Sequence, residues 1–429
     1  MSEVLPSVEP SPLGRGGYSC SLLLLFAYAV YLFTALTVPF VGKVAAGVLL
    51  LLGLCGLYRL KKQHFALIKA EKWLLFSFAL FSVVSIISFL YWPHTRESRM
   101  HLEDYATFIM LLPLYLLLRQ FRFNFMLLLV VFLAVAVELG VISLMSSVAR
   151  PSGAVNPMRY GNISLVLAVI PLVALLLIRN KAFSFKLFLI VACVLGLIAC
   201  FLTQSRGAFL SIPFLAFLYG IYLYRAGHPR FIMALTLGAV LIVAVASQQE
   251  RVQGSLISID RYLQGDSGSA LGARFDMFKA AGILIKERPF WGHGLSSYSP
   301  LATAIRKNTP GMNYEVGLWA NPHNEILQVM VEKGVVGFIT LLLLFAAPGY
   351  LFLQALRKAD DSIAGQQIKF YAMSGLSLLT VYAVAGQSVA LFEHDVFNHF
   401  FALMVLLFAS QIRVIEYIED RAVGELGGG

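Results

Sequence analysis

The sequence predicts an all-α integral membrane protein of about twelve transmembrane helices, with one large external loop that contains amphipathic helices. Three observations carry that reading. The 429 residues are 59% hydrophobic and 13% charged, with a mean hydropathy of +0.78, far above the apolar share of an ordinary soluble domain. The apolar residues fall into runs whose length suits a bilayer, which needs roughly 20 residues per helical span. The loops between those runs alternate in charge, as membrane topology requires.

The runs come in order at 19–38, 44–58, 73–92, 105–118, 126–147, 163–178, 187–203, 207–224 and 231–247, then at 334–354, 371–391 and 397–412. Residues 1–247 would therefore hold spans one to nine, 248–333 an external unit, and 334–429 spans ten to twelve with a cytoplasmic tail. The polar start MSEVLPSVEPSPLGRGG has no basic n-region and no A-x-A site, so the first span is expected to be retained. Cys20, Cys55, Cys193 and Cys200 all lie inside apolar runs, where they read as small hydrophobes rather than as a disulfide framework or metal site.

One alternating set of loops is basic: Arg59–Lys72, Arg119–Phe123, Arg179–Lys186, Arg225–Arg230 and Leu356–Ser362. These should face the cytoplasm, against anionic headgroups. The net charge of +10 partly reflects them and does not argue for nucleic acid, because no soluble basic domain exists to hold one. The opposite set comprises Pro93–Asp104, the ARPSGAVNPMRYGN segment, the TQSRG hinge, residues 248–333 and FEHD at Phe392–Asp395. Within residues 248–333, Met277, Phe278, Ala281, Leu284 and Ile285 repeat at helical spacing until Pro289, and Gly292 and Gly294 then make a turn. Two placements fit such a helix: flat on the outer membrane surface, or within a small lid packed on itself.

Arginines on the external side run against the usual bias. Arg150 and Arg159 follow the fifth span, Arg206 sits in a short hinge, and Arg274 opens the amphipathic helix. A guanidinium is a planar fork of donors that fits phosphate oxygens, so several together would clamp a diphosphate at the bilayer surface; singly, each could instead snorkel at a helix end. In ANPHNEILQ, Asn321 suits an N-cap and Pro322 the first helical position, placing His323 and Asn324 in the first helical turn. Helix polarity and nearby arginines would keep the imidazole neutral, hence able to accept a proton, although a capping histidine would look the same. Glu138, inside the fifth span, could pair with Arg150 or Arg206 or carry protons. FEHDVFNH has no HExxH or paired-Cys spacing, and no P-loop or GxGxxG occurs, so neither metal nor cofactor is expected.

Three motifs in order carry a resemblance: SRG at Ser205–Gly207 on a span junction, R-x3-F-x8-E-R-P-F-W-G-H-G from Arg274 to Gly294, and PHNEILQVMVEKGVVG from Pro322 to Gly337. Together they resemble the O-antigen ligase and polymerase family of bacterial envelope glycosyltransferases. The resemblance implies a GT-C-like enzyme of the bacterial inner membrane, active on the periplasmic side, that takes a glycan from undecaprenyl diphosphate. Ligases pass it to the lipid A core oligosaccharide, polymerases to another lipid-linked repeat, and protein O-oligosaccharyltransferases to Ser or Thr. One late external loop and a chain ending soon after the last span favour the lipopolysaccharide ligase. In that reading His323 is the base, Arg206 and Arg274 neutralise the leaving diphosphate, Arg150 and Arg159 assist, and Asn324 or Glu325 orients the imidazole or the sugar. Donor, acceptor and membrane lipids are the partners. The rival from another class is a flippase for a lipid-linked anion, against which stand the absence of an evident inverted repeat and a single mid-membrane charge, Glu138.

Overall fold

The computed structural model describes residues 14–57, 66–90, 95–178, 182–227, 229–248 and 250–426. Parts of the basic loops at Arg59–Lys72, Arg179–Lys186 and Arg225–Arg230, and Pro93 and His94 of the first external segment, lie outside them. Among the described residues there is no strand. In a bilayer every backbone donor must be satisfied within its own segment, so long apolar runs become helices.

The chain begins with α1 (Gly14–Thr34), α2 (Pro39–Leu57) and α3 (Lys69–Leu90). Next comes α4 (Arg96–Met110), whose cap Thr95 exchanges hydrogen bonds with Ser98 at 2.9 and 3.1 Å. It breaks at Leu111 and resumes as α5 (Leu112–Leu118), so the run at 105–118 is one interrupted span. Asn124 and Asn156 cap α6 (Phe125–Met145) and α7 (Pro157–Leu177). They are followed by α8 (Phe183–Leu202), α9 (Arg206–Arg225) and α10 (Pro229–Ser247). The external unit holds α11 (Glu250–Leu263), α12 (Ala270–Glu287) and α13 (Tyr298–Lys307), and the chain closes with α14 (Glu325–Lys358), α15 (Ile363–Ala385) and α16 (Asp395–Leu426).

Ten helices among the described residues are long and apolar enough to cross a membrane, with Ser19–Thr34 a shorter apolar helix. Each of the twelve expected runs falls on a helix, but those at 19–38 and 231–247, on α1 and α10, stand outside the ten. The membrane windows of α7, α15 and α16 are 83%, 78% and 83% buried, whereas that of α8 is 28% buried. The first three are therefore the centre of the bundle, and α8 presents its apolar face to lipid.

At one end of the bundle, buried Glu71 of α3 meets Arg119 Nε at 3.1 Å and Arg413 Nε of α16 at 3.4 Å, and accepts from Tyr115 Oη at 2.7 Å. Arg119, expected in a basic loop against headgroups, is thus buried and, with Arg413, knits three helices together. At the other end the loops converge: Ala154 N–H donates to Leu36 O, and Arg150 Nε to Thr203 O, each at 3.0 Å.

The external unit has its own core. Ala273, Met277, Ala280, Ala281 and Leu284 of α12 pack on Tyr298 and Ala302 of α13, Val316, and Val331 of α14. Of the two placements open to the amphipathic helix, the self-packed lid is the one found. It is stapled to the bundle at a kink in α14, where Gly334 has φ 61° and ψ −158°. His293 N–H donates to Val331 O at 2.8 Å and Gly294 N–H to Glu332 O at 2.9 Å, while Val335 N–H donates to Pro289 O at 2.8 Å. Gly292 (φ 68°) lies so close that a Cβ would sit 2.5 Å from Lys333 N. The ERPFWGHG and EKGVVG motifs are therefore two halves of one backbone joint, and their glycines allow the contact.

Candidate functional site at the external end

His323 does not sit in a helical turn. Asn324 is the N-cap of α14, its Oδ1 accepting Leu327 N–H at 3.0 Å, and the helix starts at Glu325. Asn321 instead accepts the His323 N–H at 3.0 Å, a local turn that holds His323 in the left-handed region at φ 55°. The cap thus lies three residues later than expected, at Asn324 rather than Asn321, which leaves His323 outside the helix. Burial first, and then the Arg274 charge, bring the His323 imidazole down to about 4, with Glu315 opposing. It is neutral at pH 7, chiefly by desolvation rather than by helix polarity.

The arginines reach this end by separate routes. Arg206 is the first residue of α9, and the neighbouring Gly207 approaches Ser388 so closely that a Cβ would lie 2.6 Å from its Oγ. Arg150, with its Nε on Thr203 O, braces the hinge that presents Arg206. Arg159, in the first turn of α7, places Nη2 3.0 Å from His394 Nδ1. Burial, and then the Arg159 charge, lower His394 to about 3, so its ring is the acceptor; His323 also acts on it, which sets the pair in one electrostatic neighbourhood. His394 went unremarked in the sequence except within FEHDVFNH.

Asn324 and Glu325 hold backbone. Asn324 Nδ2 donates to Gln387 O at 3.3 Å, and Glu325 Oε2 accepts the N–H groups of Leu391 and Phe392 at 2.6 and 3.1 Å. Both tie the start of α14 to the α15–α16 loop, which also carries Ser388 and His394, while Glu325 Oε1 is buried without a hydrogen-bond partner. Glu138 stands apart: its Oε2 is buried in α6 without a hydrogen-bond partner, and no ion pair joins it to Arg150 or Arg206 among the described residues.

Behind the histidine lies a buried polar network. Glu393 Oε2 accepts from Asn321 Nδ2 at 2.6 Å, and Gln328 Nε2 donates to Glu393 and, at 2.8 Å, to Glu332. Glu332 also accepts Ser296 N–H at 2.7 Å, and Lys333 Nζ sits 3.9 Å from it and 3.3 Å above the Tyr105 ring. Burial and the Glu332 and Glu325 carboxylates push Glu393 well above the usual carboxylate range. His101, Glu332 and Glu393 bring ligand-type atoms within 4.8 Å of one another. Amide and backbone donors already address both carboxylates, and a cation would have to displace them. The Glu393 partners are thus Asn321 and Gln328, with His101 Nδ1 at 3.9 Å, while nearby Asp395 pairs with Lys43 at 2.5 Å. The signal for this network was a Glu-Lys pair inside the otherwise apolar VMVEKGVVGF.

Residues 191–342, which include Arg206, Arg274 and His323, match the family described as O-Antigen ligase. The chain is also 25% identical over 340 residues to a protein of Haemophilus influenzae described as uncharacterized, an alignment covering 76% of this chain and 84% of the relative.

Proposed function

We propose, from the premise that residues 191–342 are an O-antigen ligase family domain, that this multi-pass membrane protein is a glycosyltransferase of the inner membrane. In this reading it passes O-antigen from undecaprenyl diphosphate to the lipid A core on the periplasmic side, within a GT-C-like architecture. The observation that carries the proposal is a neutral, half-buried histidine held outside its helix next to the Arg274 charge. His323 accepts the proton of the acceptor hydroxyl, whose oxygen attacks the anomeric carbon opposite the diphosphate and inverts it. The anomeric C–O bond breaks, its electron pair leaves with the diphosphate, and Arg206 and Arg274 stabilise the developing charge. Arg150 and Arg159 support this from the hinge and from His394. Asn321 and Glu393 hold the backbone of the base.

The test is transfer by purified protein in nanodiscs with chelator, given undecaprenyl diphosphate-linked glycan and lipid A core. Glycan on the core supports the ligase; lengthened lipid-linked glycan instead makes the protein a polymerase.

A further inference from the structure

We infer that Trp319 is the floor of a saccharide subsite on which the acceptor sugar stacks while its hydroxyl meets His323; the choice of acceptor rests on the base role proposed above.

The 313–319 segment is pinned from several sides. Asn313 N–H donates to Asp276 Oδ2 at 2.8 Å, on the helix that carries Arg274, and Asn313 Oδ1 accepts Glu315 N–H at 2.8 Å. Gly317 O accepts Ser299 Oγ at 2.7 Å, and Gly317 (φ 83°) presses so near α13 that a Cβ would lie 2.5 Å from Thr303 N. Yet this fixed loop leaves Tyr314, Leu318 and Trp319 exposed by 66%, 60% and 50%. Large apolar groups on a rigid exposed loop mark a binding surface. The Trp319 indole is itself held, its Nε1 donating to Glu315 Oε2 at 3.2 Å, with its ring 5.7 Å from the His323 ring.

A pyranose has an apolar C–H face and a rim of hydroxyls. Laid on the indole, it buries that face at little entropic cost and turns the rim toward the Glu315 carboxylate and the His323 imidazole. The sugar that gives its proton to the base is the acceptor. Lipid is a poorer occupant, because nine residues of α14 separate Glu325 from the Gly334 kink where the apolar run begins, about 14 Å of helix.

The experiment uses the full chain in nanodiscs as wild type, Trp319→Phe and Trp319→Ala. The probes are soluble core oligosaccharide freed of lipid A, for Kd by calorimetry, and both full substrates, for KM and kcat. Trp319→Ala should weaken acceptor Kd and raise acceptor KM about tenfold, and Trp319→Phe should change them less than about threefold. Donor KM should stay unchanged. Acceptor Kd unaltered in Trp319→Ala, no oligosaccharide binding by wild type, a shift confined to donor KM, or quenching of Trp319 emission by brominated lipid each overturns the subsite. Trp319-dependent binding without transfer sinks the ligase reading and leaves the subsite standing.

Discussion

Gly334→Ala probes the joint between lid and bundle. Gly334 occupies φ 61° and ψ −158°, a region essentially restricted to glycine, and an added Cβ would strike Phe290 and lie 2.6 Å from Trp291 N. Alanine there costs about 1–3 kcal/mol in backbone conformation alone. Relieving the clash pulls the Pro289–Gly294 turn off α14 and gives up its backbone bonds to Val331, Glu332, Val335 and Val336, each worth about 1 kcal/mol net. Taking the strain alone, at its upper end of about 3 kcal/mol, as what the docked state loses relative to the undocked one, the undocked population rises roughly a hundredfold. Hydrogen exchange should therefore quicken by about two decades in peptides covering α12 and α13 and stay unchanged in those of α6 and α7. Transfer should fall with it, since Arg274 and His323 lie on opposite sides of the joint. Gly292→Ala should act on the same contact and combine with Gly334→Ala less than additively. Lid exchange within about threefold of wild type in Gly334→Ala would refute the reasoning.

With His323 brought down to about 4, single-turnover transfer should be level from about pH 5 to 8 and fall below that; a midpoint near the ordinary value of about 6.5 would oppose it. The same shift means the unfolded chain binds this proton more readily, so stability measured by thermal unfolding should decline as pH drops from about 6.5 toward 4. Arg206→Lys keeps the charge but loses the planar fork, so donor KM should rise about tenfold or more with a smaller change in acceptor KM. Glu71→Ala removes the buried carboxylate that Arg119, Arg413 and Tyr115 share, while Arg413 keeps Glu416 and Arg119 keeps Ala66 O, and should cost about 3 kcal/mol in denaturant unfolding, where an exposed pair would cost under about 1 kcal/mol.

The helices were legible because apolar runs at bilayer length admit one solution, and all twelve runs fall on helices. The clustering of loops was legible too: Arg150, Arg159, Arg206 and His323 lie near the same ends of the helices that the alternation of spans and loops puts together. The cap at Asn324 was harder to read, since ANPHNE offers two asparagines and proline suits the residue after either a cap or a turn. Glu332 and Lys333 looked like an ordinary polar boundary before a span; only the fold reveals α3 and the lid closing over them, with Ser88 Oγ donating to Glu332 O at 2.9 Å. The pairing of His394 with Arg159 and the place of Trp319 were not legible for a different reason. Their meaning depends on Arg159 and Glu315 and on packing between loops distant in the chain.

In the proposed reaction His323 moves the proton while Arg274 holds the donor. Single-turnover transfer and donor affinity, measured side by side in nanodiscs, separate these roles for His323→Ala and Arg274→Ala. His323→Ala should lose transfer by about a hundredfold or more while binding donor as wild type does, and Arg274→Ala should weaken donor binding. Transfer by His323→Ala at the wild-type rate would contradict this reaction.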